Sequence, residues 1–299
     1  MYALLPSKCH NNKKTKLTNS LLTKHSDNLL FHTFDDTLKP QIEDLLSLGK
    51  SAGADLVEIF LEKSDNISLL AEQDDISNVS PSFGIGAGIR VFLGRKDGFV
   101  STNDLSKSGL LFALSQALGM LGLEIGRNYK SQFEGLKALK DFGLDKTNWL
   151  YSSPDLKESS IKLLESTKLL ADKNKNLEVR RASYSRNWQE VLVAATDGVF
   201  ARDIRLHQTV GINVIAIKDK YRSTSARRYG SSGNPNDLRN WNIEQSATEL
   251  NDSAQKMLHA EFVEAGQMPI VLANKFGGVI FHEACGHLLE TTQLERGTS

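Results

Sequence analysis

The 299-residue sequence has almost no cysteine, no net charge and no long apolar run. Its two cysteines, Cys9 and Cys285, make no disulfide framework, which fits a reducing cytoplasm. Lys and Arg together number 36, matched by 36 Asp and Glu, so nothing in the overall charge favours a partner bound by phosphate neutralisation, and no nucleic-acid ligand is expected. No apolar stretch approaches the roughly 20 residues that span a bilayer, so no membrane role is expected. The opening Met1–Pro6 is too short for a signal-peptide core. Acidic residues are absent before Asp27, where Lys8, Lys13, Lys14, Lys16 and Lys24 lie. Arginine is missing there too, which reads against an organelle transit peptide and for a disordered polar extension or a misplaced start, over residues 1–35.

What is present is an ordinary globular composition, 40% hydrophobic and 24% charged. Ile42, Leu45, Leu46 and Gly49 follow a helical repeat behind Pro40. Val57, Ile59 and Leu61 then alternate with Glu58, Phe60 and Glu62, the period of a strand. Further strands are expected over 66–72, 75–80 and 85–93, with an Asp97-Gly98 turn ahead of Phe99 and a helix over 105–121. Residues 123–153 are turn-rich and read as a linker. A helix from Pro154 to about Asp172 follows. Thr196-Asp197-Gly198 then marks a hairpin between strands 189–195 and 199–206, with another strand over 210–217 and a loop over 229–237. A helix is expected over 243–263, a short strand over Pro269–Ala273, and a last helix over about 276–290, capped by Asn274. The fold class is α+β: helix and antiparallel-sheet subdomains at 36–122 and 154–264, then the start of a β-rich domain at 265–299.

That last segment carries the chemistry. His282-Glu283-x-x-x-His287 offers two imidazoles and a carboxylate, the groups that hold a zinc ion and activate water beside it. The spacing is one residue longer than the usual zinc-peptidase helix pattern, in which the histidines are i and i+4. At i and i+5 they lie about 140° apart on a regular helix, too wide to share one ion. A π-bulge or local unwinding would bring them together, and Gly286 is where the helix yields most easily. The blander alternative is that two of seven histidines decorate a helix. Against it, the apolar Gly277–Phe281 ahead of the motif should bury it, and burying these groups without a metal is costly.

The stretch GGVIFHEACGHLLETTQLERGTS, residues 277–299, resembles the signature of the TldD/PmbA peptidase family, on its TldD side. GIGAGIRVFLGRKDGFVSTNDLS, residues 84–106, resembles that family's first domain. The resemblance implies a cytoplasmic, zinc-dependent metallopeptidase that trims leader peptides or degrades unfolded polypeptides. It also implies a heterodimer with a PmbA/TldE-like subunit that lacks the metal motif. It assigns His282 and His287 to one zinc ion and Glu283 to catalysis, as the base that takes a proton from the attacking water. The family's third ligand is a downstream cysteine, so a third ligand is expected beyond Ser299, and the chain reads as truncated. The alternative is a non-catalytic scaffolding subunit or an inactive piece of a split gene. Cys285 reads as a small buried cysteine rather than a ligand, and Glu290 as a partner that orients His287. Gly84-x-Gly86-x-Gly88 lacks the dinucleotide spacing and reads as strand glycines at a close approach. Arg222, Arg227 and Arg228 with Tyr221 and Tyr229 read as a solvated hairpin edge, and His207 and His259 as structural.

Overall fold

The computed structural model describes residues 34–126, 133–149, 156–173, 177–234 and 241–298. Most of the expected polar extension, Cys9 included, lies outside them. The chain divides into two compact units, Met1–Leu258 and His259–Ser299.

The first unit is one seven-stranded sheet, antiparallel but for one short strand, with helices, so the chain is α+β. Strands β1 (Leu56–Glu72), β2 (Asp75–Leu93) and β3 (Lys96–Thr102) form a meander. Helix α1 (Lys39–Ser51) precedes them and α2 (Lys107–Gly119) follows. A two-residue β4 (Lys140–Asp141) comes next, then α3 (Leu156–Lys173), β5 (Leu177–Ala195), β6 (Phe200–Lys218), β7 (Tyr221–Ser231) and α4 (Ile243–Leu258). The sheet order is β3-β2-β1-β5-β6-β4, with β7 on the far part of β6. β4 runs parallel to β6, so residues 123–153 contribute to the sheet as well as connecting its halves.

The central pair β1–β5 is antiparallel from Glu58↔Ala195 to Glu72↔Arg181. Along β1, Val57, Ile59 and Leu61 enter one core with α1 and α2, and Ile67, Leu69 and Ala71 enter a second core that includes buried side chains of α3 and α4. All six are odd-numbered, so one face of one strand serves both cores. A small cluster of Trp188, Ile204 and Leu206, with Trp149 against it, lies elsewhere on the sheet.

The strands are longer than their composition suggests. The polar run Lys63–Asn66 does not end β1, because Lys63 and Asp65 are paired on the inner face with Glu190 and Arg186. Likewise His207-Gln208-Thr209 does not break β6. Gln208 is buried and accepts the Tyr184 hydroxyl at 3.0 Å. The β2–β3 turn falls at Gly94-Arg95 rather than Asp97-Gly98, with Gly94 at φ +59°. Gly98 is instead inside β3, where a Cβ would strike the Ala117 carbonyl of α2. The Thr196–Gly198 hairpin turn is present, with Gly198 at φ +91°. β7 runs on to Ser231, so the loop expected from residue 229 begins later.

Among the described residues of the second unit there is no strand. Pro269–Ala273 is irregular rather than the short strand expected. α4 ends at Leu258, short of the expected Val263.

Candidate metal centre

The motif does not sit on a regular helix. A 3-10 turn at Lys275–Gly278 leads into one α-turn at Val279–Phe281, then a π-turn at His282–Gly286, then a 3-10 turn at His287–Leu289. The backbone N–H of His287 donates to the carbonyl of His282, an i to i+5 bond. That wider turn brings residues five apart back to nearly one side. This is the distortion that the i, i+5 spacing demands.

Its outcome is a cluster. One ligand atom each from His282, Glu283 and His287 lies within 4.8 Å of the others. The two rings meet edge to face, with centroids 4.6 Å apart and planes at 63°. His287 Nε2 lies 3.6 Å from Glu283 Oε2, and its Nδ1 lies 2.6 Å from Glu290 Oε1. The Glu290 hydrogen bond, its charge and, more weakly, that of Glu283 raise the His287 pKa above the ordinary imidazole range. With Nδ1 engaged by Glu290, Nε2 is the ring nitrogen available to a metal, as where a carboxylate orients a metal-binding histidine.

Gly286 contributes space rather than an unusual backbone. Its φ of −58° suits any residue. A Cβ there, however, would lie 3.0 Å from His282 Nδ1. Cys285 is exposed, not the small buried cysteine expected, and falls outside the cluster. The motif itself is also exposed, with His287 and Glu283 side chains at 50% and 63%. Val279, Ile280 and Phe281 do not bury it, because the described residues of this unit offer no sheet to pack on. Two imidazoles and a carboxylate suit zinc by donor type. A catalytic zinc takes three protein ligands and an open position, so if Glu283 serves as a base, a third protein ligand would have to come from outside this cluster.

The other motifs singled out in the sequence make the following structural contacts. On β2, a Cβ at Gly84 would meet Ser64 Oγ at 2.9 Å, at Gly86 the Thr102 carbonyl at 3.1 Å, and at Gly88 the Phe99 ring at 3.0 Å. Arg222 and Arg227 lie on β7 and pair with Glu178 and with Glu249. His207 Nδ1 is 3.1 Å from Ser232 Oγ. The helix after Ser101–Asp104 is capped by Ser106, whose Oγ accepts from Gly109 N, while Asp104 accepts from Ser106 N.

Sequence reasoning missed a buried charged cluster. Glu190 accepts from the Phe34 amide at 2.8 Å and lies 3.5 Å from Lys63 Nζ and 3.0 Å from Arg202 Nε. Arg202 also pairs with Asp141 at 3.1 Å. Desolvation lowers the Lys63 pKa, against the opposing pull of Glu190. The signal was in the alternation, since the period that buries Val57, Ile59 and Leu61 puts Lys63 on the same face.

The chain thus combines a sheet-based α+β body with a segment in which two histidines and a glutamate converge. Residues 57–121 match PmbA/TldA metallopeptidase domain 1, and residues 151–258 match the PmbA/TldA metallopeptidase central domain. The chain belongs to the PmbA/TldD family. It is 29% identical over 252 residues to a metalloprotease TldD homolog of Haemophilus influenzae, covering 79% of this chain and 50% of that protein. It is 24% identical over 260 residues to metalloprotease MJ0996 of Methanocaldococcus jannaschii, covering 84% and 54%. The chain thus spans about half the length of these relatives. Its fold is similar to that of TldE from Thermococcus kodakarensis (TM-score 0.54, 18% identity, covering 72% of this chain and 47% of that one). A modulator of DNA gyrase from Thermotoga maritima is also similar (TM-score 0.57, 14% identity, covering 76% and 50%). The motif segment lies beyond both matched domain ranges.

Proposed function

We propose that the chain carries the metal-binding and catalytic part of a zinc-dependent peptidase of the TldD type, acting on peptides or unfolded polypeptides. The observation that carries this reading is the π-turn that gathers His282, Glu283 and His287 within 4.8 Å. Metalloprotease names among the relatives support it. His282 and His287 would hold the ion, and the third protein ligand would come from outside this cluster. When bound, zinc supplies Lewis acidity toward a peptide carbonyl. Glu283 would take a proton from the attacking water and deliver it to the leaving amine. Glu290 would fix the His287 ring so that Nε2 faces the site.

A cytoplasmic location and a heterodimer with a related subunit lacking the motif complete the proposal. The fold shared with TldE fits such a pairing. Among the described residues no helix is long and apolar enough to cross a membrane. The test is zinc content and cleavage of an unstructured peptide, measured on the full-length protein with its partner. Glu283→Gln should retain zinc and lose about 10²- to 10⁴-fold in cleavage rate. Purified protein without zinc, or a variant that cleaves normally, would sink the reading. The first result would point instead to a non-catalytic subunit.

A further inference from the structure

The first half of strand β2 has a neighbour on one side only. β1 pairs with β2 along its whole length, but β3 pairs with it only from Ala87 to Leu93. Among the described residues no strand pairs with the other side of β2 over residues 75–86, and residues 77–83 are exposed. The ladders fix which way the backbone points. The Val57 carbonyl accepts from the Thr196 amide at 3.0 Å, so the odd residues of β1 bond toward β5 and the even ones toward β2. The register runs without a slip from Leu56↔Phe92 to Leu70↔Asn78, so the even residues of β2 bond to β1. Val79, Pro81, Phe83 and Ile85 therefore turn their carbonyls outward, and all but Pro81 turn an N–H outward as well. Pro81 stands in the register where a missing N–H costs the β1–β2 ladder nothing.

We infer that this open edge, Val79–Ile85, takes up an extended polypeptide as an added strand, and that the polypeptide is the peptidase's own unfolded substrate. A row of outward N–H and C=O groups is matched by another extended backbone. Sheet edges are commonly guarded by charge or by proline. Here Pro81 is the guard, and no residue from Ile76 to Ile89 is charged. Val79 and Phe83, each 50% exposed, offer an apolar rail to alternate side chains of the incoming strand. On the opposite face Gly84 and Gly86 carry no side chain, and an open trough of about 340 Å³ beside Glu62 and Ser64 leaves room for the others. Pro81 decides against a second copy of this chain. Two such edges side by side would bring two prolines into the new ladder, whereas a foreign strand meets one. The choice of substrate as the occupant rests on the peptidase reading above, but the pairing of an extended backbone does not.

The test is binding of a fluorescent, unstructured peptide of alternating threonine and valine to the full chain carrying Glu283→Gln, read by anisotropy with and without a chelator. Binding should survive the chelator. N-methylation of every second peptide residue should weaken it at least about tenfold in one register and little in the other, since only one set of amides faces the edge. Phe83→Pro, which removes an outward N–H, should weaken binding about threefold or more, while Phe83→Ile, which keeps the N–H and an apolar side chain, should bind as the parent does. If Phe83→Pro does not fold, the methylated peptides decide. No binding, or binding that tolerates methylation in both registers, overturns the edge. Binding that the chelator abolishes and Phe83→Pro leaves alone overturns it too, and places the peptide at the metal centre with the peptidase reading intact. Edge binding by an unmutated protein that neither holds zinc nor cleaves overturns the substrate as occupant, as does binding that disappears when the partner subunit is added.

Discussion

At the scale of single residues, small changes of shape bear on the candidate metal centre. A methyl group on Gly286 would press on the His282 ring at 3.0 Å, and the ring would have to turn to escape. Gly286→Ala should therefore weaken zinc binding about tenfold, judged by the usual effect of disturbing a ligand's support. Calorimetric titration on the full-length protein checks this. Folding should be unchanged, because the motif is exposed. Tyr184 offers a different test. Burial pushes its hydroxyl up to about 12, against the weaker opposing effect of Arg186. The folded state thus keeps this proton where the unfolded chain, at about 10, has lost it. Stability from this group is complete below about pH 10 and falls as pH rises toward 12. Tyr184→Phe should lose that part of the alkaline decline in denaturant titrations at a series of pH values. A variant declining as steeply as the parent would contradict it. The clustering of His282, Glu283 and His287 and the contact of Glu290 with His287 were expected from the sequence, because metal chemistry restricts which types serve. Gly286 was noticed for flexibility when its contribution is room.

At the scale of elements, periodicity located α1, α2 and the hairpin at Thr196–Gly198. It could not give the strand lengths. Lys63 and Gln208 look like breaks until their buried partners are known, and those partners are 127 and 24 residues away. The β1–β2 turn was placed at 73–74 by the gap between strands 66–72 and 75–80, whereas β7 beyond Asp219, which takes positive φ without an Asn-Gly or Asp-Gly signal, was not foreseen as a full strand. Pro269–Ala273 has a strand's composition, but a strand needs a neighbour. Gly98 gives this scale its experiment. Because a Cβ there meets a backbone carbonyl of α2 rather than a flexible side chain, Gly98→Ala should cost about 1–3 kcal/mol. Chemical denaturation measures it, and a loss below the error of that method would mean that α2 shifts freely on β3.

At the scale of the whole molecule, two stretches recognised as separate family domains share one sheet. Neither half of the pair β1–β5 is satisfied alone, and the buried charges at the seam come from both. Scanning calorimetry should accordingly show one transition for Met1–Leu258, not one for each domain. Two resolved transitions, with separate losses of residues 57–121 and 151–258, would show that the seam is only a contact. The sharing of one sheet was not readable from the sequence, because β1 and β5 are joined by pairings more than 100 residues apart.

The way β1 serves both cores constrains how its sequence can change. A pleated strand turns successive side chains to opposite faces, and one face here supplies Val57 at one end and Ala71 at the other. A deletion of a single amino acid between Leu61 and Ile67 would turn one core's side chains outward while leaving the other's in place. Point substitutions are bearable at many of these positions, but a change in length must come in twos.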